Sequence, residues 1–287
     1  MWIYLNDRFV SEKEAKISVF DYGFLYGDGL FETLRAYNGR IFALTQHLNR
    51  LSEAAERLRL PLPPRLSLEQ SLHETLHRNG LKNAILRLTI TRGENPIALR
   101  PDLCKKGTQV ITARPFSGHP APFYENGVSA TIVSIPRHSP DGKTPSIKSL
   151  NFLNNILGKL EINAEEHFEA LFLDAAGHLS EGALSNLFWV KNGVLHTPSA
   201  QTAILEGITR HIVLDLANKE GLAVEEGLYP PEVLFSTEEA FLTNTGIELM
   251  PLTRVDGKTI GSGQPGPITQ KLHEAFRMRV VQETGEE

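Results

Sequence analysis

Cysteine is almost absent: Cys104 is the single one in 287 residues. One thiol can neither close a disulfide within the chain nor build a thiolate metal cluster, so a reducing, cytoplasmic setting is expected. Long apolar runs are missing as well. Nowhere do the roughly 18 consecutive hydrophobic residues that mark a membrane-crossing helix occur, and the start, MWIYLNDRFVSEKEAK, lacks the basic and apolar regions of a secretion signal. Basic charge is in deficit, with 29 Lys plus Arg against 34 Asp plus Glu and no basic run. That removes the electrostatic footprint of a nucleic-acid surface. The ten histidines show no metal-ligand spacing such as His-Glu-x-x-His, and no Gly-x-Ser-x-Gly elbow is present. The segment GSGQPG satisfies a dinucleotide-binding glycine pattern, but Pro265 and Pro267 crowd it and no room follows for the strand and acidic residue such a site needs, so a surface turn is expected. What is present is a 41% hydrophobic chain, long enough for one large or two modest domains at about 150 residues each.

Local patterns alternate between strand and helix. Asn6-Asp7 between two short apolar segments reads as the turn of an N-terminal hairpin. Leu44, Leu48, Leu51, Ala55 and Leu58 follow helical spacing, and Pro61 ends that run. Ser67 with Gln70 has the form of a capping box ahead of a second helix through Leu68, Leu72 and Leu76, stopping at Asn79-Gly80. Residues 85–91 alternate, which predicts a half-buried strand with Arg87 pointing away from the main apolar face. The stretch PFSGHPAPFYENG breaks periodicity, so a boundary is placed there, giving an N-terminal domain over 1–118, a linker over 119–127 and a C-terminal domain over 128–287. Beyond it, a strand is expected over 128–135, a loop over 136–146 and a helix beginning just after Lys148. Further strands are expected at 170–174, 186–190, 194–197 and 240–243, with a helix over 209–220 capped by Gly221.

Lys148 is the residue most suggestive of chemistry. In TPSIKSLNFLNN it reads either as a solvated helix-start lysine or as one partly buried among Ile147, Leu150 and Phe152. A lysine desolvated in this way loses proton affinity and becomes a nucleophile suited to an aldehyde. Glu181 precedes an apolar strand and reads as a loop acid or as a carboxylate with a buried cationic partner. Ile208 and Thr209 open a helix whose free N–H groups serve either capping or anion binding. The Thr-Asn-Thr-Gly turn around Thr245 has N–H groups for an anion too, while Arg50, alone, reads as a surface arginine.

Taken together, FDYGFLYGDGLFETLRAYNGR, HLNRL, IKSLNFLNN, LSEGALSNLFWV, LEGITR and LTNTGIELMPL resemble the class IV, fold-type IV aminotransferases. The resemblance implies an α/β fold of two α/β domains, a smaller N-terminal one and a larger barrel-like C-terminal one, with pyridoxal 5′-phosphate as cofactor in a cleft between them. It implies that Lys148 forms the Schiff base and shuttles a proton, that Glu181 pairs with the pyridine nitrogen, and that Arg50, Ile208, Thr209 and Thr245 bind the phosphate. Tyr26, Phe31, Arg35 and Arg87 match substrate-pocket positions, and Gly246 and Ile247 match a turn offering N–H groups to a substrate carboxylate. Amino acid and 2-oxo acid substrates and a homodimer follow from the same resemblance. One position departs from it: branched-chain members carry a tyrosine five residues after the lysine, and here that position is Leu153. The pocket positions resemble the branched-chain L-amino-acid transaminases more than the D-amino-acid ones, while SNLFW, TN and KSLNFLNN fit aminodeoxychorismate lyases equally well. Aminotransferase is therefore the expected activity, with aminodeoxychorismate lyase as the alternative.

Overall fold

The computed structural model describes residues 1–95, 99–104, 106–137 and 147–285. It is a mixed α/β chain that divides into two compact units. The first comprises Met1–Ser117, Ile147–Asn151 and Val280–Glu287; the second comprises Gly118–Ser146 and Phe152–Arg279. Lys148, which the sequence-derived boundaries assigned to the C-terminal domain, is thus counted with the first unit. No helix of the described residues is long and apolar enough to cross a membrane.

In the first unit, β1 (Trp2–Leu5) and β2 (Arg8–Ser11) form the expected hairpin. Asn6 and Asp7 both take positive φ, 46° and 68°, the left-handed pair that a tight two-residue turn demands and that Asn and Asp tolerate. A short helix α1 (Tyr22–Tyr26) leads into β3 (Gly29–Tyr37), β4 (Arg40–Ile41) and helices α2 (Leu44–Leu58) and α3 (Arg65–Arg78), followed by β5 (Ala84–Thr91) and β6 (Gln109–Pro115). The strands make one antiparallel sheet in the order β2-β1-β6-β5-β3-β4. Its core joins Leu30, Leu34, Leu86, Leu88 and Ile90 to Leu48 and Leu51 of α2 and Leu68, Leu72 and Leu76 of α3.

Helix α3 starts at Arg65, earlier than the Ser67 capping box implied, and has no side-chain cap. Pro64, at φ −53° and ψ 138°, already fixes the chain for helix entry, so Ser67 falls inside the first turn.

In the second unit, α4 (Ala121–Asn126) occupies most of the segment expected to be a linker. Pro120 and Pro122 do not prevent it because they stand at its N-cap and in its first turn, where no N–H is needed. There follow β7 (Val128–Ile132), α5 (Leu153–Glu161), β8 (Glu169–Leu173), β9 (Leu179–Gly182), β10 (Asn186–Lys191) and β11 (Val194–Pro198). The unit continues with α6 (Ile208–Lys219), β12 (Val224–Gly227), β13 (Glu239–Asn244), β14 (Glu248–Val255), β15 (Lys258–Thr259) and α7 (Pro267–Thr284), whose last residues are counted with the first unit. The strands form a mixed, curled sheet ordered β12-β11-β10-β13-β14-β7-β8-β9, with β15 against β14.

Strand β7 stops three residues short of expectation, at Ile132. Ser134 gives both its N–H and its hydroxyl to the Glu161 carboxylate, which turns the chain away from the ladder. Gly221 follows α6 at φ +71°, the left-handed cap its position implied. Of the loop expected over 136–146, residues 138–146 lie outside the described residues.

Candidate active site

Strand β3 sends alternate side chains to opposite faces of its sheet. Leu30, Leu34 and Ala36 enter the core against α2, while Phe31 and Arg35 lie on the other face. Gly29–Phe31 pair not only with β5 but with the segment containing Lys148. Phe31 N donates to Lys148 O at 3.0 Å, Leu150 N donates to Gly29 O at 3.0 Å, and Leu30 and Ser149 form an antiparallel bridge. Lys148 therefore sits on a strand edge, not at a helix start. Helix α5 begins at Leu153, and between Lys148 and it the chain bridges to Leu30 at Ser149 and then bends at Leu150 before Phe152, at φ −96° and ψ 7°, leads into the helix. The helix dipole accordingly has no part in Lys148's surroundings.

This pairing places the lysine beside Phe31. Its Nζ lies 4.6 Å from the ring centre, and Arg87 Cζ lies 3.7 Å from the same centre. Arg87 stands opposite Thr33 in the β3–β5 ladder, on the polar side of β5 as its alternation predicted. It is accessible at the surface, but the crowding around its guanidinium partly desolvates it and pushes its pKa down from the ordinary value. Two cations thus flank one buried aromatic ring, the ring face being the negative end of its quadrupole.

Behind the strand, Glu32 is 1% exposed and meets two residues of α2. Arg50 donates to it through Nε at 2.8 Å and through a terminal nitrogen at 2.6 Å, and His47 Nδ1 lies 2.7 Å from the same carboxylate. Burial opposes ionisation of Glu32, but the Arg50 charge and the His47 hydrogen bond outweigh it and hold the carboxyl down at about 2. Burial also pushes His47 down, against the pull of Glu32, and the nearby charges of Arg50 and Lys148 add to that lowering. Arg50 therefore has a carboxylate partner and lies on the face of β3 opposite Phe31. Arg35 is buried, its guanidinium 4.4 Å from the Tyr37 ring centre and 5.0 Å from that of Phe116. Tyr26 ends α1 with 46% of its surface exposed, edge-on to Tyr22.

In the second unit Glu181 of β9 is buried and accepts from Leu205 N at 2.9 Å and Asn186 Nδ2 at 3.2 Å. It also pairs with Arg137 at 2.6 Å. Arg137 is itself held by Asn155 at 3.1 Å. Leu205 leads directly to Gly207, the N-cap of α6, where no side chain caps the helix. Gly207 has no room for a Cβ, which would stand 2.2 Å from Asn186 Oδ1. One amide side chain thus ties the Glu181 carboxylate to the turn bearing Ile208 and Thr209.

Two further polar atoms nearby, Arg137 Nε and Thr243 Oγ1, are buried without a hydrogen-bond partner, and Thr243 is the ladder partner of Asn186. Thr245, Gly246 and Ile247 form the β13–β14 turn. Asn244 Oδ1 accepts from Gly246 N at 2.8 Å and from Ile247 N at 2.9 Å, so both N–H groups converge on one oxygen of the chain itself.

The structure thus gathers Lys148, Phe31 and Arg87 in the first unit and links Glu181 to the Ile208–Thr209 turn in the second. Sequence reasoning gave no role to Glu32, which entered only as part of the Phe31-Glu32 resemblance, and missed His47 and Arg137. His47 and Arg50 stand three apart on α2, a spacing that puts them on one face, and that signal was readable. Arg137 lies in a loop without periodicity and gave none.

Residues 29–255 match the amino-transferase class IV family. The chain belongs to that family. It is 43% identical over 280 residues to a provisionally assigned branched-chain-amino-acid aminotransferase of Methanocaldococcus jannaschii, covering 96% of each chain. It is 34% identical to the aminodeoxychorismate lyase of Bacillus subtilis, covering 97% of this chain and 94% of that one. Among solved structures, the branched-chain amino acid aminotransferase of Escherichia coli superposes at a TM-score of 0.92 with 31% identity, over 99% of this chain and 95% of the other. The protein is accordingly an enzyme of the class IV aminotransferase kind with a fold-type IV architecture, and class IV aminotransferases in general depend on pyridoxal phosphate.

Proposed function

We propose that this class IV enzyme uses pyridoxal 5′-phosphate to move the amino group of an amino acid, of branched-chain L type, to a 2-oxo acid. The observation that carries the reading is the pair of cations on Phe31: an amine, Lys148, for the cofactor aldehyde, and a guanidinium, Arg87, for a substrate carboxylate. The donor set fits the cofactor. Glu181 is a buried anion for the pyridine nitrogen, the uncapped start of α6 at Ile208 and Thr209 suits a phosphate, and buried polar atoms beside Glu181 still lack partners.

When bound, pyridoxal phosphate supplies a ring that accepts the electron pair left as the substrate Cα loses its proton. The residues supply the rest. Glu181 would pair with the pyridine nitrogen, and Arg137, 2.6 Å away, fixes the Glu181 carboxylate in place. Lys148 Nζ would hold the cofactor through its aldehyde and is the amine placed to move a proton at the substrate Cα. Arg50, Thr245, Ile208 and Thr209 are assigned to the phosphate, with Glu32 orienting Arg50. Arg87 and Arg35 receive carboxylate. Gly246 and Ile247 are assigned to the substrate carboxylate with them.

The enzyme is proposed to act as a homodimer. Leu153, Ile156, Leu157 and Leu160 make an exposed stripe along α5, with Leu160 75% exposed, and Val19, Phe20, Phe24 and Leu25 are exposed beside Tyr26. Apolar surface of this kind is normally covered by a partner, and Tyr26 would reach a pocket of the second copy. Leu153, where branched-chain members carry a tyrosine, belongs to this stripe.

Aminodeoxychorismate lyase is the second reading, favoured by the Bacillus subtilis relative and by the Asn244-Thr245 pair. Supplying purified holoenzyme with L- and D-amino acids plus 2-oxoglutarate, and separately with aminodeoxychorismate, tests both. Conversion of branched-chain L-amino acids supports the transaminase. Release of 4-aminobenzoate and pyruvate with no amino transfer replaces it with the lyase.

A further inference from the structure

Glu248, directly after the Thr245–Ile247 turn, has a left-handed backbone at φ +55°. At this place in a hairpin glycine or asparagine is usual, because a side chain with a long stem is strained there. Its carboxylate is buried and doubly held: His273 Nε2 lies 2.8 Å from one oxygen and Arg277 donates to the other at 2.9 Å. His273 and Arg277 are four apart on α7, so one helix face supplies both groups. On the other side of the same peptide, Tyr124 of α4 donates to Ile247 O at 3.2 Å, and its ring stacks on His273 at 5.3 Å between centres. Asn244 meanwhile anchors the front of the turn through Leu184 O at 2.9 Å. A strained residue persists where its surroundings over-determine it, and such positions cluster where geometry is used.

We propose that Glu248 is a positioning residue: clamped by His273 and Arg277, it fixes the turn that presents Thr245 to the cofactor phosphate. The inference rests on the assignment of Thr245 to that phosphate. The carboxylate touches no reacting atom. It sets the direction of the Ile247–Glu248 peptide, and hence of the turn before it. A structural role alone would call for glycine, which relieves the backbone.

The test compares phosphate recognition with overall binding. Apoprotein is titrated with pyridoxal 5′-phosphate and with pyridoxal, and the ratio of the two affinities is read for wild type, Glu248→Gly, Arg277→Met and Thr245→Val, with thermal melting recorded for each. Loosening the clamp is expected to lower the ratio about tenfold, the scale of one or two hydrogen bonds placed badly, in both Glu248→Gly and Arg277→Met. Arg277→Met leaves the strained backbone untouched and decides the matter if Glu248→Gly does not fold. A ratio that falls in Thr245→Val but not in the clamp variants overturns the inference. A ratio unchanged in Thr245→Val shows instead that the phosphate assignment has failed, and the clamp's role falls with it.

Discussion

Lys148 and Phe31 are joined twice, by a main-chain hydrogen bond of 3.0 Å and by the approach of Nζ to 4.6 Å from the ring centre. Strand pairing sets where the lysine's backbone is, and the ring sets where its amine rests. Replacing Phe31 by Ala keeps the first and removes the second. The kcat/KM for amino transfer is expected to fall about 100-fold, because a nucleophile displaced by an ångström loses that order of rate. Steady-state kinetics check this, and unchanged kcat/KM contradicts it.

The Glu32 cluster makes stability fall in acid. His47 is pushed below its ordinary 6.5, so the unfolded chain takes up that proton first and stability begins to drop as pH falls below about 6.5. Glu32 is held at about 2 against an ordinary 4.5. Its contribution is complete above 4.5 and is lost as pH falls through about 2, amounting to up to about 3 kcal/mol. Urea unfolding at pH 7, 5 and 3 should show this loss in wild type and a flatter profile in Glu32→Gln/His47→Gln, because Glu32→Gln alone removes what holds His47 up.

Arg137 neutralises a buried carboxylate, Glu181, at 2.6 Å. Arg137→Met leaves that anion without its cation and is expected to destabilise the fold by about 3–5 kcal/mol. Arg137→Met/Glu181→Gln should recover most of the loss. Chemical denaturation of both variants measures it, and no recovery in the double variant would mean that the pair is not coupled.

The exposed stripe on α5 predicts self-association. Leu160→Glu, which adds charge at a 75% exposed position, should shift sedimentation equilibrium from dimer toward monomer while leaving the melting of each chain's core little changed. A wild-type chain that sediments as a monomer contradicts the proposed homodimer.

Much of the fold could be read from local pattern. The Asn6-Asp7 turn, the alternation that turns Arg87 away from the core, and Gly221 at its helix end all follow from backbone rules that act over a few residues. The start of α3 was misread because Pro64 acts before Ser67 does. Lys148 was identified from its neighbours, but its setting on a strand edge depends on Gly29–Phe31, more than a hundred positions away, and periodicity carries no information at that range. Glu32 stood inside a strand in which both faces are buried, so the resemblance could mark it but local pattern could not say that it pairs with Arg50 and His47. Arg137 meets Glu181 only through tertiary structure.

The central claim is that Lys148 carries the cofactor. Holoenzyme treated with borohydride, which fixes a pyridoxal phosphate bound to an amine, can be digested and its peptides mapped by mass. One phosphopyridoxyl adduct is expected, on Lys148, and it should be lost together with all amino transfer in Lys148→Ala. An adduct on another lysine, or full turnover in Lys148→Ala, would contradict it.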